Sequence, residues 1–167
     1  IAQMKLGTVD LSSVQNAIVI GGGNTALDAV RELKGLGIDS VTLAYRGGEA
    51  QMSGYAHEWS EAKREGVSAS WRSQPLSFLH NNGQLTGVEF QLMDENKKAI
   101  DGKTKTLSAD LVLLAIGQGK LGALTSGLTG IEVEKGKIVT DAHGATGAKG
   151  VYAGGDCRNG GKEVVNA

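Results

Sequence analysis

The segment Gly21-x-Gly23-x-x-Ala26 lies between an apolar, β-branched run, Asn16 to Ile20, and a run of helical spacing, Asn24 to Leu36. A strand that stops on glycine and passes at once into a helix is the opening of a βαβ unit, whose crossover is almost always right-handed. Asn-Ala-Ile-Val-Ile is continuous rather than alternating, so both of its faces are expected to be buried, as in a parallel sheet. Ala26, Leu27, Val30, Leu33 and Leu36 recur at helical intervals, and Gly37 supplies a stop signal. Ser40 to Tyr45 then reads as the second strand.

In this setting each small residue has a reason. Gly21 permits the tight turn, Gly23 lets a pyrophosphate approach the backbone, and Ala26 keeps helix and strand close. Asn24 and Thr25 open the helix, where free N–H groups and the helix dipole favour an anion. A tight turn with no ligand would use the same glycines, but the βαβ context favours a dinucleotide. A free ribose 2′-OH is normally held by an acid about 20 residues further on. Here that region reads Ala44-Tyr45-Arg46-Gly47-Gly48, with no acid before Glu49. Arg46 suits a 2′-phosphate, which favours NADPH over NADH, although a solvated surface arginine would look the same. A third candidate stretch is Ala115-Ile116-Gly117-Gln118, after the most apolar run of the chain, because ligands of open α/β sheets sit outside the carboxyl ends of strands.

The remaining pattern completes an α/β chain. Tyr55 to Glu65 reads as a helix ended by Gly66, and Val67 to Trp71 as a third parallel strand. From Pro75 the character changes. Pro75 to His80, Leu85 to Met93 and Lys103 to Leu107 resemble an antiparallel meander, turning first at Asn82-Gly83 and then at Asp94 to Lys98. Leu111 to Ile116 is expected to be a buried strand. A further hairpin is expected to turn at Lys135-Gly136, and a last strand to run from Gly150 to Ala153 into Gly154-Gly155-Asp156. Residues 1 to 16 are mixed and end in Asp10-Leu11-Ser12-Ser13, a loop or lead-in.

Composition excludes several classes. Lys plus Arg is 17 and Asp plus Glu is 18, a net charge of -1, without the basic excess of a nucleic-acid surface. No apolar run approaches the roughly 18 residues of a membrane span, and a cytoplasmic setting is expected. Cys157 is the single cysteine, so this chain holds neither a dithiol pair nor a complete iron–sulfur ligand set. His57, His80 and His143 lack metal-ligand spacing, so no metal is expected. The 26 glycines among 167 residues exceed the usual share of roughly 7%, and they cluster at turns rather than recurring with a period.

Together, these runs resemble one family. Val19-Ile20-Gly21-Gly22-Gly23-Asn24-Thr25-Ala26-Leu27-Asp28-Ala29 is similar to the NADPH segment of the glutamate synthase small (beta) subunit. So are Val41 to Arg46, Met52 with its following helix, Ala115 to Gln118, and Gly150 to Asp156 through Asn159 to Val165. The wider group includes the electron-entry half of dihydropyrimidine dehydrogenase and related flavoproteins with two dinucleotide domains. The resemblance implies a Rossmann-like NAD(P)H domain over 17–118, following the lead-in over 1–16. Residues 119–167 would then be part of a FAD-binding domain. It implies hydride delivery from NADPH to the flavin N5, with electrons passing on to iron–sulfur clusters or a partner large subunit. Gly155 and Asp156 would hold the FAD ribitol, and a helix beginning near Gly161, with Val164 in it, would aim its N–H groups at the flavin. Since Cys157 follows that motif, it is read as a small packed residue.

Two positions depart from the family pattern: Gly47, where a second Arg is common, and Ser53, where Pro is common. The N-terminal FAD fingerprint is absent from this chain, which is therefore expected to be a piece of a longer flavoprotein and to bind FAD poorly by itself. A relative serving a pyrimidine or thioredoxin-like acceptor, or a nucleotide-binding module without turnover, are the alternative readings.

Overall fold

In the computed structural model, residues 1–117, 125 and 127–159 are described, and the chain forms two compact units, 1–117 and 118–167. The first unit is built on four parallel strands, β1 (Asn16–Ile20), β2 (Ser40–Ala44), β3 (Ser68–Ser70) and β7 (Leu111–Leu114), in the order β3-β2-β1-β7. Helix α2 (Asn24–Gly35) connects β1 to β2, and α3 (Ala56–Arg64) connects β2 to β3. A separate antiparallel meander, β4 (Ser73–Asn81), β5 (Gln84–Met93) and β6 (Ala99–Ser108), separates β3 from β7 in the chain.

The continuous apolar character of β1 is explained by what covers it. Successive side chains of a strand point to opposite faces. Ala17 and Val19 join Ala26, Leu27, Val30 and Leu33 of α2 and Trp59 and Ala62 of α3 in one core. Ile18 and Ile20 join Val88 and Phe90 of the meander in a second core on the other face. The first layer was legible as helix periodicity. That the meander would close the second face was not, because the contact joins β1 to residues some seventy positions away.

Several expectations need correction. The lead-in carries a short helix, α1 (Ala2–Lys5), and Ile1, Met4, Leu11 and Val14 pack against the helix-side core. β7 ends at Leu114 and is an edge strand of its sheet among the described residues, so its apolar run is only half covered: Leu114 is 59% exposed and Ile116 71%. The meander strands are longer than expected, with Asn82 and Gly83 both at positive φ (50° and 81°) in a two-residue turn. That geometry matches the right-handed twist of the flanking strands.

The second unit has the expected hairpin, β8 (Val133–Glu134) and β9 (Lys137–Ile138), with Lys135 and Gly136 at φ of 51° and 84°. The strand expected over Gly150 to Ala153 does not form. A parallel strand exists only through a neighbour's ladder, and among the described residues this segment makes one antiparallel bridge, Tyr152 to Ala145. A short helix, α4 (Asp156–Asn159), follows it directly. The helix expected near Gly161, including Val164, lies outside the described residues, as does Gln118. Among the described residues no helix is long and apolar enough to cross a membrane.

Candidate nucleotide site

A cleft of about 580 Å³ opens at the carboxyl ends of β1, β2 and β7. β2 lies on one side of β1 and β7 on the other. Ligands of open α/β sheets bind outside the carboxyl ends of the strands, where this cleft lies. Gly21, Gly23, Thr25, Arg46, Ala115, Ile116 and Gly117 all line it. Two other nominated residues do not. Ala26 is fully buried in the helix-side core, where it keeps α2 close to the sheet. Asn24 is exposed, and its Oδ1 accepts the Tyr55 N–H at 2.9 Å, which ties the start of α2 to the start of α3. Its side chain thus works within the protein.

The three glycines of the turn are glycine for different reasons. A Cβ on Gly21 would collide with the backbone carbonyl oxygen of Ala115, the residue that follows β7 and whose N–H donates to Ile20 O at 2.8 Å. A Cβ on Gly22 would come within 2.5 Å of the Tyr45 ring. Protein packing accounts for both. Gly23 differs: its φ of -101° and ψ of 178° suit any residue, and a Cβ there would meet only Ser53 Oγ, at an ordinary 3.5 Å. Among the described residues nothing requires glycine at this position. Gly23 caps α2, and its carbonyl accepts the N–H groups of Ala26 (2.9 Å) and Leu27 (3.2 Å), while the earlier N–H groups of the helix have no acceptor within the helix.

Arg46 follows β2, is exposed, and is the one charged side chain among the described residues that line the cleft, which bears no carboxylate. Sequence reasoning had not nominated Tyr45, Ser53 or the segment Ser73 to Pro75, all of which line the cleft as well. Ser53 sits where the family commonly has proline. Its backbone N–H donates to the Gly22 carbonyl at 3.0 Å, a bond that proline cannot make, and Gly54 N–H donates to the same oxygen at 2.9 Å. These two bonds buttress the glycine turn. Ser73 is brought in because its N–H donates to Tyr45 O at 2.9 Å and its buried Oγ lies 3.0 Å from Ser70 Oγ. No local pattern announces that long-range pairing.

In the second unit Gly155 has φ of 63° and accepts the N–H groups of Arg158 (3.0 Å) and Asn159 (2.9 Å). Asp156, in the first turn of α4, is exposed. Cys157 Sγ donates to Gly154 O at 3.0 Å. The histidines make local contacts: His57 stacks on Tyr55 with ring centroids 5.5 Å apart, and His80 Nδ1 lies 3.0 Å from Phe78 O.

The family model for pyridine nucleotide-disulphide oxidoreductase matches residues 2–167. The glutamate synthase (NADPH) small chain of Halomonas elongata is 32% identical over 167 residues, covering 92% of this chain and 35% of that protein. The NADP(+)-dependent formate dehydrogenase subunit beta of Moorella thermoacetica is 35% identical over 161 residues, covering 89% of this chain and 22% of that one. Among solved structures, Lactococcus lactis thioredoxin reductase superposes with a TM-score of 0.71 at 25% identity, over 87% of this chain and 45% of that one. The chain therefore spans only 22% to 35% of the length of these two curated relatives.

Proposed function

The chain belongs to the pyridine nucleotide-disulphide oxidoreductase family, and from that premise we propose that it is the NADPH-binding portion of a flavin-dependent oxidoreductase of the glutamate synthase small-chain type. The chemistry such a pair of cofactors supplies is hydride transfer from NADPH to FAD. Gly23 is the observation that carries the reading: a glycine at the mouth of the cleft, required by neither its backbone angles nor its neighbours, is explained by a ligand that approaches the backbone there.

The residues divide the work. The N–H groups opening α2, with Thr25 beside them, receive the pyrophosphate. Arg46 pairs with the 2′-phosphate, and the lack of a carboxylate in the cleft leaves a ribose diol without its usual partner. Both curated relatives described above have NADPH or NADP(+) in their names, which supports the same choice. Ala115, Ile116 and Gly117 leave β7 beneath the site, where they can pass close to the nicotinamide half. Gly155 and Asp156 are assigned to the FAD ribitol, and the FAD domain of the same full-length chain with a partner subunit or iron–sulfur acceptor completes the electron path. Cys157 as the single cysteine of this chain argues against a disulfide acceptor served from within it.

The test is a calorimetric titration of this chain with NADPH, NADH and FAD in parallel. NADPH should bind in preference to NADH, with little FAD uptake. Equal affinity for the two nicotinamides would refute the selectivity, and no binding of either would refute the nucleotide site.

A further inference from the structure

We infer that Lys97, on the turn between β5 and β6, is a second phosphate ligand, so that a 2′-phosphate is gripped by Arg46 from the parallel sheet and Lys97 from the meander. The inference rests on the nucleotide reading above and adds a residue that lies far from the fingerprint in sequence.

Tyr45 links the two places. Its ring lies against Gly22 and lines the cleft, and Arg46 is its chain neighbour. Lys97 Nζ lies 5.4 Å from the centroid of the Tyr45 ring and donates to Tyr45 Oη at 3.2 Å. Tyr45 Oη in turn donates to the Gln51 carbonyl at 2.8 Å. Lys97 forms no ion pair with a carboxylate among the described residues, although Asp94 and Glu95 share its turn. An ammonium carries three donors, and Tyr45 Oη takes one of them. A half-buried cation resting on an aromatic ring, with donors to spare and no carboxylate to neutralise it, is suited to an anion that arrives with the ligand.

The surrounding residues hold Lys97 in this place. Gly47 is buried, and a Cβ there would come within 2.8 Å of Lys97 Cε and of Tyr45 Cε1, so a side chain at 47 and Lys97 in this pose exclude each other. The turn is tied by Asp94 Oδ1, which accepts the N–H groups of Asn96 and Lys98, each at 2.8 Å. Gln51 Nε2 donates to Glu95 O at 2.9 Å, which joins the turn to the loop after β2. Lys97 itself holds φ of 60°, a left-handed conformation that glycine adopts with less strain. A lysine there presents a side chain that the turn does not need. Arg46 and Lys97 together offer two positive charges, which match a phosphate monoester dianion and offer nothing particular to a diol.

The experiment compares two probes that differ by one phosphate, adenosine 2′,5′-bisphosphate and adenosine 5′-monophosphate, titrated into the wild-type chain, Lys97→Met and Lys97→Arg. Methionine keeps the stem over Tyr45 and removes the charge. Lys97→Met should weaken the bisphosphate about tenfold and leave the monophosphate unchanged, and Lys97→Arg should keep the wild-type discrimination. An equal loss for both probes would mean that Lys97 only props Tyr45, and an unchanged bisphosphate affinity would mean that the ammonium never reaches the phosphate; either overturns the inference. If the wild-type chain does not itself prefer the bisphosphate, the underlying NADPH reading fails instead, before any variant is considered.

Discussion

Alanine at each of the turn glycines separates packing from ligand binding. At Gly23 the backbone angles are open to alanine, and the new methyl meets Ser53 Oγ at 3.5 Å, an ordinary contact. Replacing glycine lowers unfolded-state entropy, a gain of about 0.4–1 kcal/mol. Losing glycine from an N-cap costs a similar amount, roughly 0.5–1 kcal/mol, because alanine caps poorly. The two nearly cancel, so Gly23→Ala should melt within a few degrees of wild type. At Gly21 the methyl is driven into the Ala115 carbonyl, whose residue is fixed by its N–H bond to Ile20 O at 2.8 Å. Overpacking of that kind costs about 1–3 kcal/mol, or roughly 4 °C of Tm for each kcal/mol. Binding should show a different contrast. If Gly23 exists to admit a pyrophosphate, the added methyl forfeits charge-assisted bonds worth about 1.5–3 kcal/mol, a loss of roughly ten- to 150-fold in NADPH affinity. Thermal melting and calorimetric titration of the two variants test this together. Gly23→Ala melting as low as Gly21→Ala, or binding NADPH like wild type, would refute the reasoning.

Arg46→Ala should cost NADPH about 1.5–3 kcal/mol and NADH little, measured as the ratio of their dissociation constants; equal losses would show that Arg46 does not read the 2′-phosphate. Phe90, fully buried between the sheet and the meander, should cost about 3–5 kcal/mol on truncation to alanine, read from urea unfolding. A much smaller loss would mean that the meander is not part of the cooperative core. Asp110 Oδ2 accepts the N–H groups of Asn16 (2.8 Å) and Gln15 (3.0 Å), and those bonds, Asn16 first, hold its carboxyl below the usual range. Its stabilisation is therefore complete above the unfolded pKa of about 3.9 and is lost as pH falls through the depressed folded value. Unfolding midpoints followed from about pH 6 to about pH 2 should fall more steeply in wild type than in Asp110→Asn.

Local chemistry was enough for the elements that declare themselves. A strand ending on Gly21, the periodic apolar face of α2 and the Asn82-Gly83 and Lys135-Gly136 turns follow from short-range rules of spacing and φ, and they appear in the structure where those rules put them. Arg46 and the Ala115 to Gly117 stretch were identifiable as lying at strand ends, and parallel strands necessarily deliver their carboxyl ends to one side. Ala26 packs in the helix-side core, as its place in the fingerprint implies, whereas Asn24 shows the limit of such reasoning: its side chain is spent on Tyr55, because a helix rotates each successive side chain by about 100° and only some can face a ligand. What only the tertiary structure decided is everything that depends on distant pairing. The meander seals the second face of β1, Ser73 enters the cleft through its bond to Tyr45, β7 is left half covered at the sheet edge, and Lys97 crosses over Gly47 to rest on Tyr45. None of these contacts has a local sequence period, since each is stabilised by surfaces that meet only after the chain has folded back on itself.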